Sequence, residues 1–102
     1  MGWKIIIAPS AQVDLEDIVR YIAQHNSDAA ARMGYELITR AESVAAFPEV
    51  GRVVPEFRQP NLREVICRSY RIIYRLRRDE QRIDIVRFWH GARGFPHIPT
   101  GG

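Results

Sequence analysis

The last third of the chain constrains the fold most, because three strand-like runs follow one another there with only short turns between them. We predict strands over Arg63–Cys67, Tyr70–Leu76 and Arg82–His90. The dipeptide Arg68–Ser69 forms the first turn, and the polar run Arg77–Gln81 forms the second. Turns this short join antiparallel neighbours. The sequence therefore predicts an antiparallel three-stranded sheet.

Residue alternation assigns the two faces of the middle strand. One face carries Ile72, Tyr74 and Leu76, and the other carries Arg71, Ile73 and Arg75. We expect the apolar set beneath helices and the arginines on an open face. The last strand does not alternate, since its apolar residues are Ile83, Ile85, Val86 and Phe88. Either both of its faces are covered, or a bulge near Val86 shifts its phase.

The first half predicts one strand and two helices. Trp3–Ala8 is β-branched and apolar, and Pro9 ends this strand. A helix over about residues 11–25 follows, with Ser10 as its N-cap. Ser27 or Asp28 caps a second helix that stops before Phe47–Pro48, where a long connection from Glu49 to Asn61 starts.

This order of elements predicts an α+β sandwich. The helix hairpin would pack on one face of a mainly antiparallel sheet and leave the other face concave and basic. We assign residues 1–93 to a single domain. Residues 94–102 are rich in glycine and proline and are predicted to be a tail without structure of its own.

Charge is distributed unevenly along the chain. Residues 63–93 hold nine arginines against four carboxylates, whereas the first 62 residues hold six basic and eight acidic side chains. Arginine forms bidentate contacts with phosphates and carboxylates, so the bias suits RNA, DNA or an acidic protein segment. A solvated basic surface without any partner is an equally good interpretation.

Several classes of protein are disfavoured. No apolar run approaches the roughly 20 residues that span a bilayer, and no signal peptide is evident, so we expect a cytoplasmic protein without membrane contact. The single cysteine, Cys67, agrees with a reducing compartment. His25, His90 and His97 lack metal-ligand spacing, and no Gly-rich phosphate loop follows a strand. We therefore predict neither a metal nor a cofactor.

A small set of side chains could still perform chemistry on RNA. Metal-free cleavage needs a base, an acid and cations that stabilise the phosphorane. Glu56 or His90 could act as base or acid, while cations for phosphate or target binding are supplied by Arg63, Arg71, Arg75 and Arg93. The ordinary alternatives are a surface carboxylate, a strand-end histidine and arginines in salt bridges.

From Ile5 to Arg93 the chain resembles the RelE/ParE superfamily of bacterial toxins from type II toxin–antitoxin systems. The sequence segments on which this resemblance rests are, in order, PSAQVDLEDIVRYIA, FPEVGRVVPE, LRE, YRIIYR and a last strand that ends in HGAR. The resemblance implies the sandwich derived above. It also implies a cognate antitoxin whose C-terminal segment wraps the toxin in a hetero-oligomer.

The motifs look most like the ParE-type members, which poison DNA gyrase. The YoeB-like ribonucleases, which cleave mRNA on the ribosome, use a loop glutamate, a strand arginine and a terminal histidine, and Glu56, Arg71 and His90 fall on those positions. That branch has an aromatic residue where Gly91 stands, and the RelE ribonucleases use several lysines where this chain has only Lys4. Three hypotheses follow: a gyrase toxin, a ribosome-dependent endoribonuclease, and a non-toxic antitoxin-binding module. Only the second is an enzyme.

Overall fold

Two helices lie on one face of a five-stranded mixed sheet in the computed structural model, which describes residues 2–100. The strands are β1 (Lys4–Ile7), β2 (Arg52–Val53), β3 (Leu62–Cys67), β4 (Tyr70–Arg77) and β5 (Arg82–His90). The helices are α1 (Pro9–Ala23) and α2 (Ser27–Ser43). The sheet order is β1-β5-β4-β3-β2, in which only β1 and β5 run parallel.

The predicted fold class is confirmed, and β3, β4 and β5 lie within one residue of their predicted bounds. The turn at Arg68–Ser69 joins the paired residues Cys67 and Tyr70, and Arg68 has a φ of 56°. Strand β2 was not predicted. It has only two residues inside the long connection, too few for alternation to be visible.

Both predicted helix caps are wrong. Helix α1 begins at Pro9, which suits a first helical position, and Ala8 is its N-cap residue. The Ser10 hydroxyl instead donates to the Val86 carbonyl at 2.6 Å. Helix α2 is capped by Asn26, whose side chain accepts a hydrogen bond from the Ala29 N–H at 2.9 Å.

The helix-covered face of the sheet holds the larger core, and its predicted members in β4 are confirmed. They join residues of both helices and of β5 in one cluster. Its fully buried side chains include Leu37, Ile72, Tyr74, Ile83, Ile85 and Phe88. The Tyr74 hydroxyl accepts from the Gly51 N–H and donates to the Pro48 carbonyl, each at 2.9 Å, which ties the long connection to the sheet.

Strand β5 satisfies both predicted explanations of its pattern. Tyr74 pairs with Ile85, but the adjacent Ile73 pairs with Arg87, so Val86 is an extra residue at a bulge. The strand also has a covered face on each side, with Ile85 in one core and Val86 in the other.

Beyond the end of β1, side chains of helix α1 form hydrogen bonds with the backbone of β5. Beyond Ala8, whose N–H reaches the Ile85 carbonyl at 2.9 Å, side chains of α1 replace backbone partners. Ser10 binds the Val86 carbonyl, and Asp14 accepts from the Phe88 N–H at 3.0 Å. The Asp14 carboxylate therefore serves as a hydrogen-bond acceptor for the edge of β5.

The second face of the sheet is not the open surface that the sequence predicted. A second core covers it and is formed by Val54, Leu62, Ile73, Val86 and Trp89. Residues 94–100 form no helix or strand, but Ile98 packs on this core and Pro96 is fully buried. The predicted boundary after residue 93 stays a prediction, and residues 101 and 102 lie outside the described range.

Within residues 2–100, no helix is long and apolar enough to cross a membrane. The same residues bring together no group of three histidine, cysteine or acidic side chains that could hold a metal ion.

Candidate functional site

Arg71 and Glu56, two of the predicted site residues, lie in direct contact on the second face. Both terminal nitrogens of Arg71 donate to the Glu56 carboxylate, at 2.8 and 2.7 Å. The remaining donor, Nε, binds Oε1 of Glu64 at 2.6 Å. The Arg71 guanidinium is thus held on two sides by carboxylates, the bidentate geometry that arginine favours.

Glu64 extends this arrangement to the edge of the sheet. Its side chain is fully buried, and its second oxygen accepts from Arg52 Nε at 2.6 Å. We call the residues Arg52, Glu56, Glu64 and Arg71 the Arg71 network. A buried carboxylate requires charged partners, and here each Glu64 oxygen has one.

Hydrogen bonds in the network favour the charged forms of Glu56 and Arg71. Hydrogen bonds from Arg71 hold the pKa of Glu56 below its ordinary range, against the opposing effect of burial. Hydrogen bonds to Glu56 and Glu64 raise the pKa of Arg71. At neutral pH Glu56 is therefore an ionised acceptor, and the sequence-based role as acid is unavailable to it in this state.

His90 lies on the opposite face of the sheet. It pairs across the strands with Tyr70, and the two rings contact edge to face at 5.1 Å. Its Nδ1 accepts a hydrogen bond from the Ala92 N–H at 3.0 Å, so the proton of the neutral ring lies on Nε2. Together with Tyr21 of α1, His90 lines a groove of about 470 Å³. The structure joins Glu56 to Arg71 but separates both from His90.

The remaining predicted cations have different surroundings. Arg63 donates to the Pro60 and Gly51 carbonyls at 2.8 and 3.1 Å and fastens the long connection. Arg75 donates to the Pro99 carbonyl at 3.0 Å. The Arg93 guanidinium lies 3.7 Å from the centre of the Trp89 ring. Arg93 also lines the groove that contains His90, whereas the hydrogen bonds of Arg63 and Arg75 go to backbone carbonyls elsewhere.

The basic face predicted from the arginine bias is largely neutralised by the acidic first half of the chain. Carboxylates from that half form five described ion pairs with arginines from residues 63–93: Asp14 with Arg87, Glu36 with Arg68, Glu49 with both Arg63 and Arg78, and Glu56 with Arg71. The uneven charge along the sequence therefore serves folding to a large extent, because opposite charges meet across the folded chain.

Two buried carboxylates escaped the sequence prediction. Asp14 is 7% exposed, and both of its oxygens accept from Arg87, at 2.8 and 2.7 Å. Glu64 is 1% exposed. A signal existed for each: Asp14 stands three residues after Ala11 on the buried stripe of α1, and Glu64 stands between Leu62 and Ile66 at an apolar phase of β3.

Comparisons with known proteins agree with the architecture. Residues 5–95 match the family described as the ParE toxin of the type II toxin–antitoxin system parDE. No curated protein sequence is significantly similar to the chain.

Two solved structures share the fold. The chromosomal ParDE toxin–antitoxin system from P. aeruginosa matches with a TM-score of 0.71 at 15% identity, over 87% of this chain and 96% of that one. The toxin–antitoxin complex RelBE2 from Mycobacterium tuberculosis matches with a TM-score of 0.67 at 17% identity, over 88% of this chain and 99% of that one. At these identities the likeness concerns the fold alone.

Proposed function

We propose that this chain, which belongs to the ParE family of toxins from type II toxin–antitoxin systems, arrests bacterial growth by inhibiting DNA gyrase rather than by cutting RNA. The protein would act in the cytoplasm. It would bind its protein target through its surface.

The separation of His90 from Glu56 and Arg71 carries this proposal. RNA cleavage needs a base, an acid and cations around a single phosphate. Arg71 already gives Nε and both terminal nitrogens to Glu64 and Glu56, so binding a phosphate there requires breaking an ion pair with little exposure to water. His90 faces α1 on the other side of the sheet. This arrangement favours a binding function over catalysis.

Binding of a cognate antitoxin is the second part of the proposal. Several large apolar side chains are more than half exposed, a feature that marks surfaces for protein partners. On the helices these are Val13 at 55%, Tyr21 at 67% and Tyr35 at 74%. An antitoxin segment that folds on binding would cover such side chains and form a toxin–antitoxin hetero-oligomer.

A paired assay of the purified chain tests the choice of target. We expect inhibition of gyrase supercoiling and no cleavage of mRNA on ribosomes. The variant His90→Ala should keep its toxicity, because inhibition of gyrase by binding needs no acid or base at the end of β5. Ribosome-dependent cleavage that disappears in both His90→Ala and Arg71→Ala, with both variants folded, would contradict the proposal.

The endoribonuclease remains the second candidate, and one observation favours it. Glu56 and Arg71, which the resemblance to YoeB-like enzymes singles out, are in bidentate contact. Such a pair could open when RNA binds. Cleavage by the unaltered chain but not by Glu56→Gln would support this candidate. Normal growth during expression without an antitoxin would instead identify a non-toxic binding module.

A further inference from the structure

The groove that contains His90 lies between helix α1, the start of strand β4 and the end of strand β5, and we call it the His90 groove. Ile18 of α1 and Phe88 of β5 contribute its apolar walls, and its volume is about 470 Å³. Sites for small molecules have volumes of roughly 300–1,000 Å³ and combine apolar walls with a few polar groups. The size of the groove therefore suits a small organic ligand.

Three hydrogen-bond donors of the groove have no acceptor within residues 2–100. They are the Tyr21 hydroxyl, the Tyr70 hydroxyl and Nε2 of His90. Because His90 Nδ1 already accepts from the Ala92 N–H at 3.0 Å, the ring carries its own N–H at Nε2. Burial raises the pKa of Tyr70, and the nearby Tyr21 phenol adds to this effect, so the Tyr70 hydroxyl is a neutral donor at neutral pH.

Arg93 adds a cation to these donors. Its guanidinium lies 3.7 Å from the centre of the Trp89 ring, and it has no carboxylate partner within residues 2–100. Two carboxylates also line the groove, and each is paired with an arginine: Asp14 with Arg87, and Asp17 with Arg20. Once these pairs are counted, Arg93 is the uncompensated charge of the groove, and the groove therefore favours an anion.

The number of donors indicates the kind of anion. A carboxylate has two oxygens, whereas a phosphate monoester has three acceptor oxygens and about −1.5 to −2 charges at neutral pH. A guanidinium can donate to two phosphate oxygens, and the neutral donors can then serve the third. The Tyr21 side chain is 67% exposed and offers aromatic surface to the remainder of the ligand.

We propose that the His90 groove binds a small organic molecule that has an aromatic body and a phosphate monoester group. Arg93 and the Nε2–H of His90 hold the phosphate, and the hydroxyls of Tyr21 and Tyr70 donate to its remaining oxygen. The aromatic body packs on the apolar walls. This site lies apart from the Arg71 network and requires neither gyrase nor an antitoxin, so the inference goes beyond the proposed function.

A nuclear magnetic resonance titration of the full ¹⁵N-labelled chain tests the proposal. The probe is phenyl phosphate. In the comparison compounds, phenol lacks the phosphate, inorganic phosphate lacks the ring, and benzoate has a carboxylate in its place. The Ala92 N–H reports occupancy, because it is bonded to His90. We expect phenyl phosphate to bind roughly tenfold more tightly than each of the other compounds, the factor of one charge-assisted hydrogen bond.

Substitutions in the groove should separate its charge from its neutral donors. Arg93→Gln should weaken phenyl phosphate binding roughly tenfold and leave phenol binding unchanged. Tyr70→Phe removes only a hydroxyl and should weaken phenyl phosphate binding about threefold. Tyr21→Phe replaces Tyr70→Phe if the latter fails to fold. Arg32→Gln, which removes an exposed arginine of α2 outside the groove, should leave the affinity unchanged.

Four results would overturn the proposal: phenyl phosphate binds no more tightly than phenol, no more tightly than inorganic phosphate, no more tightly than benzoate, or equally well to Arg93→Gln. A single-stranded RNA oligonucleotide that displaces phenyl phosphate from the unaltered chain, but does not bind Arg93→Gln, would assign the groove to nucleic acid instead. The titration contains no gyrase, ribosome or antitoxin. Its outcome is therefore independent of the proposed function.

Discussion

The helix-covered face of the sheet and its second face bury apolar residues by different means. On the first, side chains from two regular helices meet alternate residues of β4 and β5. On the second, a smaller core lies beneath the long connection and beneath residues 94–100, which we call the C-terminal strap. Ion pairs such as Arg71–Glu56 surround this core. Regular periodicity specifies the first face. The second depends on contacts between residues that are distant in sequence.

Substitutions at Ile72 and Ile73 should give the largest changes in stability that test this comparison. Both residues are fully buried in β4, but they face opposite sides of the sheet. Truncation to alanine costs about 2–5 kcal/mol, and the cost grows with the cavity that remains. We expect Ile72→Ala near the upper end, since the helices hold the cavity open. Ile73→Ala should lie near the lower end, because the strap has no regular structure and collapses into the space.

Urea unfolding of the two variants provides the measurement, with the free energy of unfolding as the readout. An equal or larger loss in Ile73→Ala would mean that the strap is as rigid as the helices. The two faces would then not differ in the way described above.

Glu64→Gln tests the ion pairs of the second face, and we expect an intermediate loss in the free energy of unfolding. Loss of a partner from a buried ion pair costs roughly 3–5 kcal/mol. In this variant Arg71 still has its ion pair with Glu56, and water can solvate the exposed Arg52. We therefore expect the free energy of unfolding to fall by about 2 kcal/mol. The control Glu49→Gln removes an exposed carboxylate next to Arg63 and Arg78 and should cost clearly less than Glu64→Gln. Equal losses in urea unfolding would show that burial of Glu64 contributes little.

The smallest expected change concerns the loss of folding stability at low pH. Hydrogen bonds from Arg71 lower the pKa of Glu56 in the folded chain, so the pair stabilises the fold above the unfolded-state pKa of about 4.3. This stabilisation is lost as the pH falls through the lowered pKa of the folded state. Glu56→Gln should therefore reduce stability at neutral pH and flatten its decline in acid.

The exposed residue Glu42 provides the control for that pH series, because none of the described ion pairs includes it. Glu42→Gln should leave the acid-induced decline unchanged. A decline of the same steepness in Glu56→Gln and in the unaltered chain would show that the Arg71–Glu56 pair does not contribute to it.

The sequence predicted those parts of the fold that local patterns control. The strands of the last third, the helix pair and the faces of β4 follow from periodicity and turn residues. The Asn26 cap was missed because several adjacent polar residues could fill that position.

The candidate site was less predictable, because its geometry depends on register and on long-range pairing. The bulge at Val86 sets which side chains of β5 share a face, and alternation alone left its existence open. Arg71 was recognised as important, but its partner Glu64 was counted only as local charge. The strap was identified by composition, whereas its docking depends on three sheet side chains.

The pairing of β1 with β5 has a consequence for the time at which the protein folds. Ile5 pairs with Ile83, so the parallel ladder joins the first strand to the last one. While the ribosome makes the chain, β1 has no partner until β5 has emerged, and closure over such a separation slows folding. We expect the nascent chain to stay without its complete sheet until the whole of β5, up to His90, has left the ribosome.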